Sequence, residues 1–182
     1  RHYLEPELDM HHSKQSFSAR LRLLRHQGHA DNQVIWSSRK PFTPIPEAFE
    51  VLDRWLMNMH DNPEQSIGEA RPDDANDRCY DDTGEVIASG DNVWDGIWNS
   101  KDNGACMNAY PIYSNPRIVA GEDYVGEIFK CHLQSIDDAI AEGLYEPVNV
   151  GEYRDELQRI FPDGVCDYSR GDVSRPAELI PN

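Results

Sequence analysis

The stretch SFSARLRLLRHQGHADNQVIW, residues 16–36, decides the fold of this chain. Its first half carries apolar side chains at intervals of four and three residues: Phe17, Leu21 and Leu24. This spacing puts them on one face of a helix, which we predict over residues 13–27. Its second half holds QVIW, residues 33–36, a short apolar run that is typical of a buried strand.

A second helix is predicted after a connector stiffened by prolines. It extends over residues 47–60, and an apolar stripe on it is expected to face inward: Phe49, Leu52, Leu56 and Met59. The order loop, helix, strand, connector, helix is typical of an α/β protein. Because one strand cannot form a sheet, we expect the partner strands to come from elsewhere and Arg1 not to be the natural start of the protein.

The rest of the chain has weaker periodicity. Residues 68–122 are rich in Gly, Pro, Asp and Asn but carry several aromatic residues, which favours an ordered, lid-like excursion over a flexible linker. Two further helices are predicted, over residues 124–136 and 149–160. We therefore divide the chain into residues 1–66, the C-terminal part of an α/β core, and residues 67–182, a loop-rich, partly helical extension that packs on it.

The charge of the chain limits its partners. With 182 residues, a net charge of −16 and a pI of about 4.6, it is not expected to bind nucleic acid or an anionic membrane. No apolar run has the length needed to span a membrane. The length corresponds to one domain or most of one.

The four cysteines favour disulfides over a zinc site. They are Cys79, Cys106, Cys131 and Cys166, and no two of them form the close Cys-x-x-Cys pair that structural zinc usually requires. Two disulfides would place the chain in an oxidising compartment, secreted or periplasmic. Loop-closure entropy gives each bridge roughly 3–4 kcal/mol, so it barely separates the three pairings. We predict Cys79–Cys106 and Cys131–Cys166, because sequential pairing keeps each bridge local to one segment.

Two groups of polar residues are candidates for chemistry. Asp9 and His11 lie two residues apart in a predicted loop, where a carboxylate can orient an imidazole and stabilise its protonated form. This suits a general base, but a helix-capping Asp beside exposed histidines, or a metal site that includes His12, stays open. Residues 73–77 and 81–85 are rich in carboxylates, which suits either solvated turns or calcium. The sequence contains no Gly-x-Ser-x-Gly nucleophile elbow.

Several segments, in their order and spacing, carry a resemblance to a known family. They are Tyr3–Pro6 with Asp9 and His11, Ser16–Leu23, Asp31–Trp36, Asp53–Leu56, Asp77–Tyr80, Gly104–Cys106 with Tyr110-Pro111, Asn115–Gly121, Lys130–Leu133 and Phe161–Asp167. Over nearly its whole length the chain resembles the C-terminal third of tannase-like bacterial α/β-hydrolases of unknown function, the DUF6351-type proteins. The resemblance implies the C-terminal part of an α/β-hydrolase sheet, arranged helix, strand, helix, followed by a disulfide-stapled tail.

The resemblance also implies an exported serine hydrolase that acts on a small ester. Its nucleophilic Ser would lie in an upstream part of the same polypeptide, His11 would act as the base, and Asp9 or an upstream carboxylate would orient it. Residues 33–36 would be a late strand of a sheet begun upstream. Hydrolases of this fold usually place the catalytic His just after the last strand, whereas no His follows Trp36 before the next predicted helix.

The competing interpretation is a non-catalytic role. The chain would then be a disulfide-stapled extracellular assembly module or a calcium-stabilised one. No cofactor is expected in either case, with calcium as the one candidate ion. An oligomer is compatible with both interpretations.

Overall fold

The computed structural model of the chain describes residues 1–8 and 11–176. Of the sequence-predicted site residues, Asp9 lies outside this part of the chain. The fold divides into two compact units, Arg1–Tyr113 and a second unit that begins at Ser114. Each unit mixes helices with a small sheet and contains one disulfide.

The first predicted helix is confirmed. Helix α1 spans Lys14–Gln27 and ends at Gly28, whose φ of 79° lies in the left-handed region that glycine tolerates. Phe17 is fully buried, as the periodicity predicted, and its ring lies 5.6 Å from that of Trp94 and 5.4 Å from that of Trp98. The helix is therefore anchored by aromatic residues that come from far along the chain.

The expectation that every partner strand comes from elsewhere is wrong. Strand β1, Trp36–Ser37, pairs in parallel with β2, Arg78–Tyr80, and β2 pairs antiparallel with β3, Val86–Ser89. Both new strands lie in the segment 68–122 that was predicted as an aperiodic excursion. Periodicity did not identify them because they are three and four residues long and β3 is exposed on both faces.

A further strand-like segment lies on the opposite side of β1. His2 and Ser38 form a parallel bridge, and the backbone N–H groups of Tyr3 and Ser38 donate to Ser38 and Arg1 carbonyls at 2.8 and 3.0 Å. The chain thus runs from an extended segment, residues 1–3, through α1 to the parallel strand β1. This is a strand–helix–strand crossover of the kind found in α/β proteins.

An ion pair joins the three parts of this crossover. The guanidinium of Arg20 on α1 contacts both carboxylate oxygens of Asp77, and it also donates to the side-chain and backbone oxygens of Gln33. Asp77 in turn accepts the backbone N–H of Ile35 at 2.7 Å. Because Asp77 precedes β2, one carboxylate connects the helix, the approach to β1 and the approach to β2.

Helix α2, Ile45–Asp61, is confirmed in position, but the prediction of its buried face was wrong. Val51 and Trp55 enter the core, and Trp55 also donates its indole N–H to the carbonyl of Ile67. The predicted stripe is exposed except for Met59, which packs against the core: Phe49 by 69%, Leu52 by 49% and Leu56 by 55%. The helix therefore carries two adjacent apolar stripes. The stripe with Val51 and Trp55 faces the core, and the stripe with Phe49 and Leu56 faces solvent.

A disulfide closes the first unit. Cys79 on β2 is bonded to Cys106 on α3, Ala105–Ala109, and both cysteines are fully buried. The backbone is tightly packed just before α3, since a Cβ at Gly104 would lie 2.1 Å from the carbonyl oxygen of Asn92. This predicted bridge is present, and it fixes a helix onto the middle strand of the sheet.

The second unit contains a two-stranded antiparallel sheet. Strand β4 is Cys131–Gln134 and strand β5 is Val165–Asp172. The described part of this unit also contains short helices at Pro116–Val119 (α4), Ile136–Ala141 (α5) and Arg154–Ile160 (α6). The helix predicted over residues 124–136 is wrong, because the cysteine at its centre belongs to a strand. The helix predicted over residues 149–160 is confirmed as a 3-10 turn followed by α6.

The second predicted disulfide is also present. It joins Cys131 on β4 to Cys166 on β5, across the two-stranded sheet. Both cysteines are half-buried, in contrast to the fully buried pair of the first unit.

Removal of the two disulfides is expected to have unequal effects. The bridges span 27 and 35 residues, so loop entropy assigns each about 3.5 kcal/mol. The double variant C79A/C106A also leaves a cavity in a fully buried site, whereas C131A/C166A does not. Urea unfolding followed by far-UV circular dichroism, which reports both units, should therefore show the larger loss of stability for C79A/C106A. An equal or larger loss in C131A/C166A would contradict this assignment.

Candidate functional site

The candidate site lies where two parallel strands end. In α/β folds, functional residues gather beyond the carboxyl ends of parallel strands. Here the segment Arg1–Tyr3 is followed by a loop that leads to α1, and β1 is followed by Ser38 and Arg39. These two connections therefore form the candidate site.

The loop after Tyr3 is closed by a buried carboxylate. Glu5, only 1% exposed, begins a 3-10 turn and accepts the backbone N–H of Ser13 at 2.6 Å. Its other carboxylate oxygen lies 3.2 Å from the backbone nitrogen of Leu4. Glu5 therefore holds both ends of the loop together just before α1 begins. Sequence reasoning missed this residue, although an acidic side chain before a helix was a visible signal.

His11 lies exposed on this loop. Its backbone carbonyl accepts a hydrogen bond from the guanidinium of Arg1, which also donates to the hydroxyl of Ser16 at 2.9 Å. Burial lowers the pKa of the Arg1 guanidinium, and the nearby Glu5 carboxylate opposes that shift. The backbone at His11 is thus fixed to the extended segment and to the first turn of α1.

The neighbours of His11 bear on its predicted role. Asp9, its predicted orienting partner, lies outside the described residues, so the pairing of Asp9 with His11 stays a prediction. His12 is half-buried, and its Nδ1 atom is buried without a hydrogen-bond partner. His12 is therefore a second imidazole next to the predicted base.

An arginine–tyrosine cluster stands at the end of β1. The guanidinium carbon of Arg39 lies 5.3 Å from the ring centroids of both Tyr3 and Tyr110. The two rings are buried and lie 5.0 Å apart. Each hydroxyl donates to a backbone carbonyl, that of Tyr3 to Pro111 at 2.6 Å and that of Tyr110 to Tyr80. We call Arg39, Tyr3 and Tyr110 the arginine platform. Both tyrosines lie in segments that carry the family resemblance, but no pattern in the sequence connected them with Arg39.

The two tyrosines of the platform are uncharged at neutral pH and pack against Arg39. Burial raises the pKa of Tyr3 to about 12, with the Glu5 carboxylate adding to the rise and Arg39 opposing it. Burial likewise raises the pKa of Tyr110. Both phenols therefore stay protonated at neutral pH and keep donating to the backbone.

The acidic segments serve mainly as structure. Asp77 belongs to the ion pair with Arg20, and Asp81 accepts hydrogen bonds from Thr83 and Glu85 within a turn. Among the described residues, no group of three or more His, Cys, Asp or Glu side chains is placed to hold a metal ion. Calcium binding stays a prediction.

A groove of about 420 Å³ lies on the same unit. Its lining includes residues 32–36 and the α2 side chains Val51, Leu52 and Trp55. Neither His11 nor Arg39 borders it. Because it surrounds the residues that lead into β1 rather than those that follow it, we place the candidate site at the arginine platform and the His11 loop.

Comparison with known protein families identifies the family of this chain. The model of a tannase-like family of unknown function (DUF6351) matches residues 1–177. No curated protein and no solved structure matched the chain. Within the described ranges, none of the helices combines the length and the apolar character that a membrane crossing requires.

The buried phenol of Tyr3 is expected to make stability fall at alkaline pH. Its pKa is raised to about 12 in the folded state, while an unfolded chain releases the proton near pH 10. Between these values the unfolded state binds fewer protons, so the folded state loses stability as pH rises. The stability advantage of the wild type over Tyr3→Phe should therefore shrink from pH 9 to pH 12 in urea unfolding. A constant difference across this range would contradict the raised pKa.

Proposed function

Because the chain belongs to the tannase-like family of unknown function (DUF6351), we propose that it forms the C-terminal portion of an exported serine hydrolase that cleaves an ester. The observation that carries this proposal is the crossover from residues 1–3 through α1 to β1. The loop with His11 lies within this crossover, after the extended segment and before α1. A general base on such a loop is suited to act on a substrate beyond the strand ends.

The catalytic serine would come from residues that precede Arg1 in the natural protein. The sequence holds no Gly-x-Ser-x-Gly elbow, and residues 1–3 already pair in parallel with the end of β1. In this proposal the extended segment and β1 are late strands of a larger sheet.

The proposed reaction has two steps. The Ser hydroxyl attacks the ester carbonyl, His11 takes the hydroxyl proton, and the tetrahedral intermediate collapses as the alcohol leaves with that proton. A water molecule then attacks the acyl-enzyme, again giving its proton to His11, and the acid is released as Ser regains a proton. Asp9 would hold the imidazole in the tautomer that accepts the proton.

Oxidative folding supports an exported protein. Both pairs of cysteines are bonded, and no free cysteine lies in the chain. Disulfides of this kind persist in the extracellular space or the periplasm.

A non-catalytic assembly role is the second candidate. It is favoured by the exposed apolar side chains on α2, which include Ile45, Phe49 and Leu56, and by the adjoining groove at Leu52. A fluorophosphonate probe separates the two functions, because it labels only an activated serine. Labelling of the full-length natural protein supports the hydrolase, and its absence supports the assembly role.

Replacement of His11 tests the base. In the full-length natural protein, His11→Ala should lower kcat for a 4-nitrophenyl ester by about 10³-fold or more, because the serine loses its proton acceptor. Asp9→Asn should cost less, since the imidazole remains but adopts the wrong tautomer more often. The exposed position of His11 predicts a melting temperature close to that of the wild type.

The adjacent histidine provides a matched control. His12→Ala removes the same side chain one residue away and should retain most of the activity. Full activity in a folded His11→Ala protein would end the assignment. Loss of activity in His12→Ala alone would move the base to His12.

A further inference from the structure

We propose that the arginine platform is an anion-binding subsite, and that the ester substrate carries a carboxylate which Arg39 binds. This inference rests on the proposed hydrolase function for its substrate but not for the anion site itself. It assigns Arg39 a role that neither the family description nor the predicted triad includes.

The guanidinium of Arg39 contacts two aromatic rings and has no carboxylate partner among the described residues. Among the described residues it makes no hydrogen bond and no ion pair, and its recorded contacts are with the rings of Tyr3 and Tyr110. In a chain of net charge −16, other arginines of the first unit have carboxylate partners: Arg20 pairs with Asp77, and Arg78 pairs with Glu47. Arg39 is exposed, so the N–H groups that the rings leave uncovered reach solvent.

Four carboxylates lie close enough to the platform to act on its rings: Glu5 and Glu7 help to raise the pKa of Tyr3, and Asp81 and Asp82 help to raise that of Tyr110. Glu5 and Asp81 accept hydrogen bonds from other groups. Among the described residues, no hydrogen bond or ion pair joins any of the four to Arg39, so the planar fork of the guanidinium is open. A guanidinium fork matches a carboxylate with two parallel hydrogen bonds, and aromatic faces beneath it hold its plane in one orientation.

The two tyrosines are themselves fixed in place. Both are buried, and both hydroxyls are occupied by backbone carbonyls, so neither ring can turn to bind a ligand itself. The chain therefore presents one organised cation beyond the end of β1. An anionic group with two oxygens suits this fork, and a carboxylate is the simplest such group.

Binding of benzoate tests the anion site without any turnover. Isothermal titration of the full-length natural protein should give tighter binding of benzoate than of benzamide, its neutral counterpart. Arg39→Gln should weaken benzoate about tenfold or more, because the paired hydrogen bonds are lost. Arg39→Lys keeps the charge but not the fork and should weaken benzoate about threefold or more. Lys40→Gln is the matched control; it removes one positive charge from the next residue and should leave benzoate affinity within about twofold.

Ester turnover tests the substrate class. The ratio of kcat/KM for 4-nitrophenyl hydrogen succinate to that for 4-nitrophenyl butyrate should fall about tenfold in Arg39→Gln and stay constant in Lys40→Gln. Benzoate binding that depends on Arg39, in a protein that hydrolyses neither ester, keeps the anion site and removes the hydrolase. Hydrolysis of both esters with benzoate affinity unchanged in Arg39→Gln and Arg39→Lys overturns the anion site and keeps the hydrolase. Equal affinity for benzoate and benzamide in the wild type also overturns it.

Discussion

The contact between Arg20 and Asp77 is the constraint on which the first unit depends. Its partners come from α1 and from the residue before β2, 57 positions apart, and the pair is largely buried. A buried charge without its partner is costly, so the two side chains specify one placement of the helix against the strands. Asp77 also accepts the N–H of Ile35, and this bond fixes the approach to β1. The parallel pairing of β1 with β2 follows from these bonds.

The sequence pattern predicted the features that depend on residues close together in the chain. Helix α1 and the position of α2 could be derived from apolar spacing and prolines, and the disulfide pairing was correctly chosen because sequential pairing keeps each bridge local. The sheet could not, because strands of two to four residues carry too few side chains for an alternating pattern. The inward face of α2 was also not readable, since Phe49 and Val51 are equally apolar and tertiary packing decides between them. The failed helix around Cys131 has the same origin, because pairing with β5 overrides helical spacing.

The candidate site shows a similar division. The His11 loop was predicted, since an Asp close to a His before a helix is a local pattern. The arginine platform was not, because Tyr3, Arg39 and Tyr110 are separated by 36 and 71 residues and meet only in the fold. Glu5 is an intermediate case: its sequence position was visible, but its burial and its bond to Ser13 were not. A role that depends on residues adjacent in the chain can be predicted from a single sequence. A role that depends on residues far apart in the chain becomes visible only in the structure.

The Cys79–Cys106 bridge lies close to the platform. Cys79 is followed by Tyr80, whose carbonyl holds the hydroxyl of Tyr110, and Cys106 lies on α3, which ends one residue before Tyr110. The covalent bond thus clamps both sides of the surface that supports Arg39. Completion of the platform is thereby coupled to thiol oxidation. A chain with reduced cysteines would keep the hydrogen bond from Tyr110 to Tyr80 but lose this clamp, so the rigidity of the platform depends on the redox state of one pair of thiols.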